Sequence, residues 1–183
     1  MDFRHIKSTL ERAGVNFQPG LSSAEVKAAE DRFSLAFPDD LREFLMFALP
    51  SGERFPNWRN PEDPEIARAL GWPLEGIWFD VQQNGFWPAE WGTKPDDESA
   101  AYEVIRKRVA AAPKLIPIIG HRYMPDRPAK RGNPVFSVYQ TDIIHYGSDL
   151  ENYLHNEFYH YFGTPPHRIG ETRTIEFWSS FVE

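Results

Sequence analysis

The sequence contains no cysteine. That excludes a disulfide framework, a cysteine-bearing zinc knuckle and a thiol nucleophile, and it fits a reducing, cytoplasmic setting. Long apolar runs are missing too. No stretch approaches the roughly 18 residues of a spanning helix, and the opening Met1-Asp2-Phe3-Arg4-His5-Ile6-Lys7 lacks the apolar segment of a secretory signal. A cytoplasmic chain with no membrane partner is expected. Positive charge is scarce: 20 Lys and Arg stand against 27 Asp and Glu, a formal net charge of −7. Binding a phosphate backbone requires a positive footprint. The densest basic cluster, Arg122, Arg127, Lys130 and Arg131, falls in a proline-containing loop, so no nucleic-acid partner is expected. An acidic domain is suited instead to steering a basic protein towards itself.

Aromatic rings are abundant. They make up 15% of the 183 residues, with six Trp, seven Tyr and fourteen Phe. Such rings favour a well-packed core and an aromatic contact face. A chain of this length buries roughly 70% of the surface its unfolded form exposes, and residues 1 to 183 read as a single domain without repeat, linker or low-complexity tract.

Helical spacing begins with Ile6 to Ala13, ended by Gly14. Ser22 and Glu25 form a capping box ahead of Val26, Ala29 and Phe33. Pro38 suits a helix start, and the pair Asp39-Asp40 lies where the helix dipole favours negative charge. Leu41, Phe44, Leu45 and Ala48 then share one face. Residues 51 to 64 read as a loop carrying Trp58, and Glu65 to Leu70 as a short helix ended by Gly71. Gly76 to Gln82 alternates as a strand, with Ile77, Phe79 and Val81 on one face and Trp78, Asp80 and Gln82 on the other. Asn84-Gly85 then reads as a tight turn into a returning strand at Phe86-Trp87. After a loop over 88 to 97 come a helix from Glu98 to Ala111, a buried strand Leu115 to Ile119, and a loop from Gly120 to Asn133. Strands Val135 to Gln140 and Ile143 to Tyr146 form a hairpin. A second capping box, Ser148 with Glu151, opens a helix carrying Leu150, Tyr153, Leu154, Phe158 and Tyr161, and Thr174 to Val182 reads as a short helix or a strand, with helix preferred. Strict strand–helix alternation is missing, so the expected class is α+β, with a mixed or antiparallel sheet flanked by helices.

Chemistry-bearing motifs are sparse. The phosphate-binding, dinucleotide and nucleophile-elbow glycine patterns are all absent. His155 and His160 are five apart, about 140° around a helix, which is not the spacing of a zinc-binding helix. No catalytic residue, metal ligand or cofactor is expected. The alternative is a hydrolase built on His145 with Asp142, or on His121 with Asp126. Asp39-Asp40 and Asp96-Asp97-Glu98 sit at helix starts, where capping accounts for them. Trp58, Trp87 and Trp91 fall in or beside loops, and Trp is enriched at interface hot spots.

Three stretches resemble the SUKH superfamily. The first runs from Pro19-Gly20-Leu21-Ser22-Ser23-Ala24-Glu25-Val26 through Glu30, Phe33, Phe37-Pro38-Asp39-Asp40-Leu41 and Phe44-Leu45. The second is Leu115-Ile116-Pro117-Ile118-Ile119-Gly120. The third joins Gly132-Asn133-Pro134-Val135-Phe136-Ser137-Val138 to Asp142-Ile143-Ile144-His145-Tyr146-Gly147 and the helix Leu150 to Phe158. Together they span about residues 15 to 160. The resemblance implies an α+β domain without catalytic residues. Many bacterial members are immunity proteins that neutralise toxins, often nucleases, and a fungal relative is a scaffold regulating cell-wall synthesis. The expected partner is thus a basic toxin domain, with a regulatory scaffold or peptide-binding module as the alternative. The residues expected to meet the partner are Trp58, Asp80, Trp87, Trp91, Asp96 and Asp97.

Overall fold

The structure, a computed structural model, describes residues 1–182. It is α+β, with two antiparallel sheets and helices on both faces of the larger one. Helix α1 (Phe3–Arg12) is capped by Asp2, whose carboxylate accepts the backbone N–H groups of Arg4 and His5. Strand β1 (Asn16–Pro19) follows, and then α2 (Ser23–Phe33) with the expected Ser22–Glu25 capping box formed in both directions. Helix α3 (Asp39–Phe47) passes directly into β2 (Ala48–Ser51), which pairs antiparallel with β1.

Helix α4 (Pro64–Gln83) corrects the sequence reading. The stretch 76–82 is helical, and so are the residues on both sides of Gly71, so neither the strand nor the stop at Gly71 forms. The buried residues Ile66, Pro73, Gly76, Ile77, Asp80 and Val81 lie at helical spacing, while Phe79 points to solvent. The alternation that looked like a strand has only three apolar members, and the outer two, Ile77 and Val81, are also an i, i+4 pair. Pro73 is tolerated because its surroundings compensate for the missing N–H. The carbonyl four residues earlier, Ala69, loses its helical donor and accepts the Tyr123 hydroxyl instead, at 2.9 Å. Gly76 lets the helix approach the sheet: a Cβ there would stand 2.8 Å from the Gln140 Cα.

Helix α5 (Glu98–Ala111) leads to the main sheet, formed by β3 (Leu115–Ile119), β4 (Arg122–Pro125), β5 (Val135–Tyr139) and β6 (Asp142–Gly147) in that order. Strand β4 lies in what reads as a loop from the sequence. The β5–β6 hairpin forms, with its turn at Gln140-Thr141, one residue earlier than expected. Helix α6 (Leu150–Glu157) is capped by Asp149 rather than Ser148: the Asp149 carboxylate accepts from Asn152 N–H at 2.8 Å, and the Asn152 side chain accepts from Ser148 N–H at 3.0 Å. A short α7 (Tyr159–Phe162) follows. The closing segment, expected as a short helix or a strand, holds a 3-10 turn at Trp178–Ser180.

The sheet separates two cores. Ile116, Met124 and Val135 face one that includes Leu10, Val26, Phe44, Trp58 and Leu154. Tyr123, Phe136, Val138 and Ile143 face another, with Ile77 and Val81 of α4, Ile105 of α5 and Trp178. Among the described residues, no helix is long and apolar enough to cross a membrane.

Candidate partner-binding surface

Helix α4 ends where Asn84 N–H and Phe86 N–H both donate to the Asp80 carbonyl, and Gly85 turns the chain at φ +67°. Residues 86–97 then cross to α5 over an aromatic base. Trp91 is the centre of that base. Its ring lies 5.8 Å from Phe86, 5.4 Å from Trp87 and 6.2 Å from Phe177, and the Arg108 guanidinium covers it at 5.5 Å. Trp87 sits over Trp91, partly exposed, with its indole N–H donating to the Gly92 carbonyl at 2.8 Å. This fixes a large amphipathic ring at low entropic cost, which is what an interface anchor requires.

The rim of this ledge is acidic. Glu90, Asp96, Asp97 and Glu98 are all exposed, and no ion pair involves any of them among the described residues. Asp97 also caps α5, accepting from Ala100 N–H at 2.7 Å. Lys94, the one cation between residues 84 and 98, donates to the Val81 carbonyl at the end of α4, at 3.0 Å. The result is a half-open indole in a connection that carries four exposed carboxylates.

Of the six residues expected to meet a partner, Trp87 and Trp91 are in ring contact, with Trp91 as the support beneath Trp87, and Asp96 and Asp97 are exposed in the same connecting segment. Trp58 and Asp80 lie elsewhere and are buried. Trp58 is 1% exposed and packs edge-on against Phe37 at 5.0 Å and Phe33 at 6.2 Å. The sequence places it in a loop, but that loop folds over the first core. Asp80, 5% exposed, ties α4 to the hairpin: its carboxylate accepts from Thr141 N–H at 2.9 Å, the Thr141 hydroxyl at 2.6 Å and the Asn84 amide at 2.5 Å. Glu90 belongs to the ledge and was not singled out by sequence. It stands alone between Ala89 and Trp91, where no pattern marks it.

The two histidine–carboxylate pairs of the hydrolase alternative do not assemble. Asp142 and His145 are three apart on β6 and so point to opposite faces. The His145 ring stacks on Phe136 at 5.2 Å, and burial holds its pKa below the ordinary imidazole value. His121 and Asp126 lie beyond opposite ends of β4. Burial followed by the neighbouring Arg122 charge lowers the His121 pKa. The Asp126 carboxylate accepts the Lys114 N–H at 2.8 Å, and burial raises its pKa.

Two concavities lie away from the ledge. One, about 520 Å³, is lined by His5, His155, His167, Asp2, Asp149 and Glu151. There the His155 ring stacks on His167 at 3.5 Å and its Nε2 meets the Thr164 hydroxyl at 2.6 Å. Another, about 360 Å³, opens between Arg54, Arg68 and the β3–β4 turn. Among the described residues, no group of three or more His, Asp or Glu side chains is placed to hold a metal ion. No protein-family model matches the chain, and neither a curated protein nor a solved structure does.

Proposed function

We propose that the chain is a non-catalytic protein-binding domain, an immunity protein that neutralises a cognate bacterial toxin in the cytoplasm, as its SUKH resemblance implies. The observation that carries this reading is the ledge: a fixed, partly exposed Trp87 in a connection whose exposed Glu90, Asp96, Asp97 and Glu98 make no ion pair among the described residues. A toxin that acts on nucleic acid must present a positive footprint, and such a surface is complementary to this ledge. Exposed charges of this kind raise the association rate and select the partner, while the aromatic anchor slows dissociation.

The test is co-expression with the product of the adjoining gene, scored for restored growth, together with calorimetric titration of the purified pair at low and high salt. The reading expects rescue and an affinity that falls as salt rises. Absence of both rescue and binding contradicts it, and binding without any toxicity to rescue would favour the regulatory-scaffold alternative.

A further inference from the structure

Strand β6 is the last strand of the main sheet, and its outer edge has no strand beside it. The register shows which backbone groups face outwards. Val138 N–H donates to the His121 carbonyl at 3.0 Å, on the β4 side, so Val138 and Ile143 form a non-hydrogen-bonded pair across β5–β6. Ile143 and His145 therefore direct their N–H and C=O groups away from β5. No hydrogen bond to these groups occurs among the described residues. Ile144 lies between them with its side chain 46% exposed, and Tyr139, on the same sheet face, is 58% exposed.

We propose that this edge pairs with the same edge of a second copy of the chain, joining two four-stranded sheets across a two-fold axis at Ile144. The register follows from the outward groups. Ile143 of each copy exchanges hydrogen bonds with His145 of the other, four bonds in all, and the two Ile144 side chains meet as a non-hydrogen-bonded pair, the arrangement that brings side chains closest.

The charges match in this register. Asp142, which has no ion pair among the described residues, falls opposite Tyr146 of the second copy. The Tyr146 ring carries the Arg122 guanidinium at 3.7 Å. Arg122 donates to the Ser137 hydroxyl at 2.8 Å and lies 3.8 Å from Glu157, and its buried Nε has no hydrogen-bond partner. Each Asp142 thus approaches the other copy's Arg122, and the two-fold axis makes the contact twice. An unpaired edge carrying exposed Ile and Tyr is otherwise an open template for aggregation, and a closed two-fold pair removes it. The ledge around Trp87 belongs to a different segment and takes no part in this pairing.

The test uses the full chain. Sedimentation velocity over a dilution series is expected to show a reversible dimer. Ile144→Lys, which places two ammonium groups on the axis, is expected to abolish it. His145→Pro removes one outward N–H and is also expected to abolish it, whereas His145→Ala retains it. Because the sequence has no cysteine, Ile144→Cys is expected to cross-link to its own copy under mild oxidation, and Tyr139→Cys, away from the axis, is not. A wild-type monomer at every concentration, or a dimer indifferent to Ile144→Lys and uncross-linked by Ile144→Cys, would overturn the proposal. Circular dichroism of each variant separates lost pairing from lost folding.

Discussion

Replacing Asp80 by alanine tests whether a carboxylate that looks like a surface charge in sequence is in fact the tie between α4 and the β5–β6 hairpin. The side chain is 5% exposed and accepts three hydrogen bonds, two from Thr141 and one from Asn84. A hydrogen bond to a charged group contributes about 1.5–3 kcal/mol net. Asn84 is exposed and Thr141 half-buried, so water recovers part of what their donors lose. A total destabilisation of about 3 kcal/mol follows. With a urea slope of about 2 kcal/mol/M, the midpoint falls by about 1.5 M at unchanged slope. Asp80→Asn keeps one acceptor oxygen and is expected to lose about half as much. If Asp80→Ala unfolds within about 0.5 kcal/mol of wild type, the range of an ordinary surface substitution, the carboxylate does not hold the hairpin and the reasoning is wrong.

Gly76→Ala drives a Cβ to 2.8 Å from the Gln140 backbone, and urea unfolding should register the overpacking as a loss of about 1–3 kcal/mol. Trp58→Ala opens a cavity in the first core, and the same measurement should show a loss of about 3–5 kcal/mol. For Asp40 and Asp126, burial is the largest influence and raises both folded pKa values above 3.8. Stability that both carboxyls allow in their protonated form is therefore lost as pH rises through those folded values. Asp126→Asn, which keeps an acceptor for Lys114 N–H, should flatten stability against pH above 3.8, the ordinary carboxyl value, and an unchanged slope there would refute the assignment.

The elements legible in sequence are those fixed by local chemistry. The Ser22–Glu25 box, the apolar face of α3, the helix Glu98–Ala111 and the β5–β6 hairpin all formed with at most small shifts of boundary. The elements that were not legible depend on distant partners. Helix α4 continues through Pro73 because Tyr123, fifty residues on, satisfies the Ala69 carbonyl, and no local signal announces that. Strands β1, β2 and β4 have four residues each, too few for a period to show. The ledge was half legible. Trp87, Asp96 and Asp97 are conspicuous in a polar connection, but burial of Trp58 and Asp80 is decided by what folds over them.

The most direct test of the protein-binding account is the dissociation constant for the adjoining gene's product, compared between wild type and the double variant Glu90→Lys, Asp96→Lys. Neither residue caps a helix, so the fold is left alone. The account predicts an affinity at least about tenfold weaker, equivalent to about 1.4 kcal/mol, with lost rescue in co-expression. Equal affinity and equal rescue would contradict it.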